Sequence, residues 1–224
     1  MFRKTLQDAA RGDVQGNLAN KFRQRRINHF VSLLNTVEKD PVVILDIGGT
    51  DYYWTVLKIE CKSELEIILL NPEECTNKNT DFKYVRGDGR DLSQFKDDSI
   101  DIVYSNSVIE HAGTREDQKK FADEIRRIAK RYYIQTPNYF FPFEPHFLTP
   151  GIQYLPVKTR AFLIRRFNFG WYNKRKNYND SLKLAGSIRL LKLKELKSLF
   201  PGAVIVKEKF LRLTKSFVVY YGFC

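Results

Sequence analysis

Val42-Val43-Ile44-Leu45-Asp46-Ile47-Gly48-Gly49-Thr50-Asp51 is the stretch that decides the fold. Its aliphatic residues are mostly β-branched and too few for an independent helix, so they read as a strand buried on both faces. Gly48 and Gly49 end it. Residues without Cβ let backbone N–H groups come close to a polar or anionic group, and the carboxyl end of a parallel strand is where open α/β sheets bind ligands.

The same rhythm repeats downstream. Leu65–Leu70 reads as a second strand stopped by Asn71-Pro72, Lys83–Arg86 as a third running into Gly87-Asp88-Gly89-Arg90-Asp91, and Ser99–Tyr104 as a fourth running into Ser105-Asn106-Ser107. A helix over Thr114–Arg131, with Phe121, Ile125, Ile128 and Ala129 as its apolar stripe, precedes a fifth strand at Tyr132–Thr136. Strand, polar turn and connection in alternation predict a doubly wound, mostly parallel sheet with its polar strand ends on one edge. A helix at Lys192–Phe200 and strands at Ala203–Lys209 and Thr214–Tyr221 close the chain, the two strands as an antiparallel pair at a sheet edge.

Outside this core the texture differs. Residues 1–40 read as one amphipathic helix, broken by Asp40-Pro41 because the residue before proline is pushed out of helical geometry. Residues 137–178 hold twelve aromatics, several prolines and many Lys/Arg, too irregular for a sheet layer and too aromatic for a disordered linker. The expected organisation is an N-terminal helical extension (1–40), a cofactor-binding core (41–136), an inserted substrate cap (137–191) and the closing helix and strands (192–224).

The formal net charge of +12 is unevenly spread: Lys158 to Lys197 carry twelve Lys/Arg against Asp180 and Glu195, and residues 1–30 carry seven against Asp8 and Asp13. Two basic segments around a mildly acidic core suit a phosphate-bearing, anionic or membrane-surface partner, or a solvated surface. No apolar run spans a membrane and no secretory leader is read, so the cytoplasm is expected, with peripheral contact to an anionic membrane as an addition. Cys61, Cys75 and Cys224 lack paired spacing, so neither a disulfide framework nor a metal site is read.

Taken together, Ile44-Leu45-Asp46-Ile47-Gly48-Gly49, Gly87-Asp88-Gly89-Arg90-Asp91-Leu92 and Asp98-Ser99-Ile100-Asp101-Ile102-Val103-Tyr104-Ser105-Asn106-Ser107-Val108-Ile109-Glu110-His111 resemble the class I S-adenosylmethionine-dependent methyltransferases. The resemblance covers Val42 to Thr136 and fits the closing strands. Gln135-Thr136-Pro137-Asn138 with Phe141-Pro142-Phe143-Glu144-Pro145-His146 resembles a bacterial subgroup associated with cell-surface glycan biosynthesis. The resemblance implies a Rossmann-like seven-stranded fold and S-adenosylmethionine as cofactor. It places Gly48 and Gly49 against the methionine end, Asp46 ordering that loop or meeting the ammonium through water, and Asn71 on the ribose. Asp88 and Gly89 then meet the adenine, and Ser105 and Asn106 border the sulfonium. Thr50 and Tyr52 stand where the family often has further glycines, and Asn71 replaces the usual acid, with Glu73 or Glu74 as substitutes.

Methyl transfer from a sulfonium is an in-line displacement, so it needs positioning and dryness more than side-chain chemistry. A hydroxyl acceptor adds the need for a base, for which histidine is suited. His111, at the cofactor edge, and His146, bracketed in the cap, are the candidates; His29 reads as solvated. The expected acceptor is a small molecule or lipid-linked glycan methylated at oxygen. Phe169, Trp171, Tyr172 and Tyr178 among Lys174, Arg175 and Lys176 also suit stacking on nucleic acid, so an RNA methyltransferase or a non-catalytic cofactor- or nucleic-acid-binding module is the alternative. A nicotinamide oxidoreductase is disfavoured, because Gly48–Tyr53 lacks G-x-G-x-x-G spacing.

Overall fold

The protein is described from a computed structural model covering residues 4, 7, 18–57, 61–74 and 79–223 of the chain. Helix α1 (Leu18–Leu34) leads into β1 (Val42–Ile47), α2 (Asp51–Leu57), β2 (Leu65–Asn71), β3 (Lys83–Arg86) and β4 (Ile100–Asn106). A 3₁₀ turn (Ile109–His111), α3 (Arg115–Ile128) and β5 (Ala129–Pro137) follow. The sequence from Phe143 forms a small hairpin of β6 (Phe143–Glu144) and β7 (Thr149–Pro150), then α4 (Val157–Arg166) and α5 (Tyr178–Gly186). Helix α6 (Leu193–Leu199), β8 (Val204–Phe210) and β9 (Leu213–Tyr221) complete it.

Seven strands make one sheet in the order β3-β2-β1-β4-β5-β9-β8. The first five are parallel, with Ile44 opposite Ile67 and Ile102, and β9 enters antiparallel with Val219 opposite Ile134. Alternate residues of the central strands face opposite layers, as the two-residue strand period requires. Leu45 and Val103 pack with Phe121, Ile125 and Ile128 of α3 and Leu196 of α6. Ile44, Ile102, Tyr104 and Tyr133 pack on the other side with Ile27, Phe30 and Leu34 of α1 and Trp54 of α2. The doubly wound, mostly parallel sheet read from the sequence is therefore the observed one.

Two expectations change. The helix read over residues 1–40 ends at Leu34, seven residues before Pro41, since a turn through Thr36 brings Val37 back into the core, where it is buried. The early part of that reading, apart from residues 4 and 7, lies outside the described residues. The aromatic segment is also more regular than its composition suggests: α4 and α5 build a separate small core from Phe147, Ile152, Ala161, Ile164, Ala185 and Ile188. Only part of its aromatic content goes inside, and Phe140, Phe162, Phe167 and Trp171 remain exposed.

The consequence for function is one polar edge. Gly48, Asn71, Asp88, Asn106 and Asn138 all lie at or just past the carboxyl ends of parallel strands, and the segment after β5 starts there. Among the described residues no helix is long and apolar enough to cross a membrane.

Candidate active site

The loop after β1 is built around missing side chains. Gly48 holds φ at +76°, and a Cβ there would meet Val108 Cγ2 at 2.6 Å, so an L side chain would be both strained and obstructed. A Cβ on Gly49 would sit 1.8 Å from Asp46 Oδ2. Asp46 is turned under the loop, 1% exposed, and accepts a hydrogen bond from Trp54 Nε1 at 2.7 Å. Burial pushes its carboxyl up to about 7, against the lowering effect of the Trp54 bond.

This raised acid gives a signed expectation. Below the unfolded pKa of about 3.9 the group is protonated in both states and costs nothing; between there and about 7 folding takes up a proton, so stability falls as pH rises. The cost saturates above pH 7 at on the order of 4 kcal/mol. Asp46→Asn, which keeps an acceptor for Trp54, is expected to flatten the dependence of the urea midpoint on pH between about 4 and 7. An unchanged slope would show that Asp46 does not carry it.

The other residues expected at the cofactor edge lie along it with their own partners. Asn71 donates from Nδ2 to Gly49 O at 2.8 Å, tying the end of β2 to the loop, and with Glu73, Glu74, Tyr84 and Arg86 it lines a cavity of about 210 Å³. Asp88 accepts from Arg90 Nε at 2.9 Å, and this bond holds its carboxyl below the usual range. Gly89 is packed so closely that a Cβ would meet Phe121 Cε2 at 2.5 Å. Ser105 is fully buried, with Oγ 3.4 Å from Ile47 O. Asn106 Oδ1 accepts from Arg26 Nη1 of α1. These residues suit S-adenosylmethionine in kind: bare backbone at 48 and 49, an amide at the end of β2 and a partly exposed carboxylate after β3.

His111 and His146, 35 residues apart, are brought together. Their Nε2 atoms lie 3.0 Å from each other with the rings nearly perpendicular. Thr136 Oγ1 donates to Glu110 Oε2 at 2.9 Å, anchoring the turn that carries His111 to β5. His146 Nδ1 is 2.6 Å from Glu144 Oε1, and Glu144 Oε2 also accepts the Phe147 N–H. Burial disfavours the His146 imidazolium, but the Glu144 bond and the charges of Glu144 and Glu110 outweigh it and raise its pKa. His111, though exposed at the surface, is lowered to about 4 by loss of hydration on its packed side and by facing His146. Burial raises Glu110 as well. His29, read as solvated, instead rests half-buried between Tyr133 and Tyr220, with Nδ1 3.1 Å from Tyr133 Oη, because α1 lies against β5 and β9.

A groove of about 660 Å³ opens beside this cluster, lined by apolar Phe22, Phe141, Pro145, Leu148, Phe210 and Leu213, with Arg26, Ser107, Gln135, His146 and Lys215 as its polar lining. Burial and the nearby Arg26 lower the Lys215 ammonium to about 8. Glu144, Arg26 and Lys215 escape a reading by motif. Only the Glu144-Pro145-His146 spacing hinted at the first, and the pairing of the N-terminal helix with Gln135 and Glu208 carries no local signal.

Comparison with known proteins agrees with this geometry. Residues 50–132 match the methyltransferase domain family. No curated protein matches the chain. Among solved structures, the chain is similar to an S-adenosylmethionine-dependent methyltransferase from Mesorhizobium loti (14% identity, TM-score 0.51, 84% of this chain and 94% of that one). It is also similar to the putative methyltransferase in complex with the Trm112 activator from Haloferax volcanii (15%, 0.51, 89% of each). A third is a putative methyltransferase from an antibiotic biosynthesis pathway of Anabaena variabilis (19%, 0.50), of which this chain, with 82% of its own residues, spans only 64%. At these identities the likeness speaks to the fold. The matched residues run from the turn after β1 into β5, on a Rossmann-like sheet of the methyltransferase kind, and they support an S-adenosylmethionine-dependent methyltransferase.

Proposed function

We propose that the enzyme methylates an oxygen of a small-molecule or lipid-linked glycan acceptor that lies in the groove beside His146. The observation that carries this reading is the Glu144–His146–His111 arrangement beside a groove whose lining is largely apolar. The cofactor supplies an electrophilic methyl group when bound. The chain's part is to hold the acceptor in line, exclude water with Phe141, Leu148, Phe210 and Leu213, and take the hydroxyl proton at His146 Nε2 or His111 Nε2. Glu144 acts as positioning residue for His146. Gly48, Gly49, Asn71, Asp88, Gly89, Ser105 and Asn106 are assigned to the cofactor, with Asp46 ordering the loop from beneath.

Residues 137–191 form the acceptor cap in this proposal. Exposed Phe162, Phe167 and Trp171 stand among Arg165, Arg166, Lys174 and Arg175, a composition suited to anionic lipid headgroups. Peripheral attachment at the cytoplasmic face of a membrane would bring a lipid-linked acceptor to the groove. Stacking on RNA is the second reading, favoured by the same exposed aromatic and basic residues.

The test is transfer of labelled methyl groups into cell extract divided into lipid, glycan and RNA fractions. Label is expected in the lipid or glycan fraction, and His146→Ala is expected to lower kcat about 10²-fold or more while leaving cofactor affinity within about twofold. Label confined to RNA, or full turnover by His146→Ala, would overturn the proposal.

A further inference from the structure

We propose that Glu110 Oε1, His111 Nε2 and His146 Nε2 form a binding site for one divalent transition-metal ion of the zinc, cobalt or manganese kind. Neither the sequence nor the methyltransferase assignment points to it, and the sequence was read as holding no metal site. The three atoms lie within 4.8 Å of one another, with the two imidazole nitrogens 3.0 Å apart and Glu110 Oε1 3.8 Å from His146 Nε2. Zinc holds imidazole nitrogen and carboxylate oxygen at about 2.0–2.2 Å, so two ligands of one ion stand about 3–4 Å apart. The two spacings to His146 Nε2 meet that, and the third is at most 4.8 Å.

A second observation is independent of the spacing. Glu110 is completely buried, and its Oε1 has no hydrogen-bond partner among the described residues, although Oε2 is satisfied by Thr136. A buried carboxylate oxygen left without a partner destabilises the folded state, and an ion beside it removes that penalty.

The surroundings also match what metal ligands need. Glu144 accepts from His146 Nδ1, which fixes the tautomer and leaves the Nε2 lone pair facing inward, the carboxylate–histidine–metal arrangement of known sites. Thr136 orients Glu110 in the same way. Without an ion or a shared proton, two Nε2 lone pairs would face each other at 3.0 Å. Two imidazoles and one carboxylate are a donor set for zinc, cobalt or manganese rather than calcium, and three protein ligands leave further positions open, as in catalytic sites. His146 lines the groove, so an open position is placed to receive an acceptor hydroxyl and lower its pKa. In that case the ion, not a free imidazole, promotes loss of the hydroxyl proton. That role rests on the oxygen-methylation reading; ion binding does not.

The experiment uses the full chain stripped with a chelator and titrated with Zn²⁺, Mn²⁺, Ca²⁺ and Co²⁺, followed by calorimetry, thermal midpoint and, for cobalt, visible absorption. One zinc or cobalt ion per chain is expected, with a raised midpoint, visible bands of a nitrogen-ligated cobalt site and no competition from calcium. Glu110→Gln, nearly the same size and still able to accept from Thr136, and His111→Ala are expected to weaken binding at least about tenfold, and Glu144→Gln about 10- to 100-fold through His146. Absence of stoichiometric binding, or an unchanged affinity in the His111→Ala/His146→Ala double variant, would overturn the site. Methyl transfer that survives chelation but needs His146 would overturn the ion's catalytic role and keep the imidazole as base. Stoichiometric binding with label found only in RNA would keep the site and defeat the glycan reading.

Discussion

Arg26→Ala is expected to destabilise the protein by about 3–5 kcal/mol, because it leaves the largely buried carboxylate of Glu208 without its cation. Arg26 rises from α1 into the sheet and is nearly inaccessible. Its Nε donates to Glu208 Oε1 of β8 at 3.1 Å, its Nη1 to Gln135 Oε1 of β5 at 3.1 Å, and the same nitrogen to Asn106 Oδ1 of β4. Lys215 offsets part of the loss, since removing Arg26 relieves one of the causes that depress its ammonium. A double variant, Arg26→Met with Glu208→Gln, is expected to recover most of the stability, as replacing both members of a buried pair by neutral groups costs far less than removing one. Chemical denaturation of the single and double variants measures both. Equal losses in Arg26→Ala and the double variant would mean that the stranded charge is not the cause.

Gly49→Ala is the substitution expected to harm cofactor binding most. The new methyl group would overlap the Asp46 carboxylate, at 1.8 Å, so either the loop lifts or Asp46 leaves Trp54. Lifting the loop breaks the Asn71 bond to the Gly49 carbonyl and displaces the backbone proposed to hold the methionine end of the cofactor. Breaking the Trp54 bond strands a buried indole donor, at about 1–3 kcal/mol. A loss of at least about 100-fold in S-adenosylmethionine affinity, equivalent to about 2.7 kcal/mol, is expected by calorimetric titration. Asp46→Asn combined with Gly49→Ala should not restore binding, because the amide is as large as the carboxylate. Affinity within a few-fold of the parent would show that the cofactor does not rest on this loop.

The sheet was legible because its signals are local: five aliphatic strands with polar ends, separated by connections of ordinary length, leave few topologies. The Val42–Ile47 and Lys83–Arg86 strands have the bounds that their composition suggests. The end of α1 was misplaced because Pro41 is a conspicuous breaker, whereas the actual stop depends on Val37 reaching the core. The segment after β5 hid two helices because proline and aromatic density masked the short periodic runs at Val157–Arg166 and Tyr178–Gly186. His111 and His146 could be named singly, but their meeting is a product of how the segment after β5 folds back on the 3₁₀ turn. His29 was misread since nothing in α1 announces the two tyrosines that receive it. Arg26 was invisible for the same reason: its partners are 80, 109 and 182 residues away.

That last separation bears on how the molecule is made. Helix α1 leaves the ribosome well before β8, yet the carboxylate that neutralises its arginine arrives 182 residues later. Until then Phe22, Ile27, Phe30 and Leu34 have no complete surface to cover, and the guanidinium has no buried anion to enter the sheet with. Contacts of such long range form late and leave apolar surface open in the meantime. The helix synthesised ahead of the sheet is thus expected to complete its docking only once the final hairpin has closed.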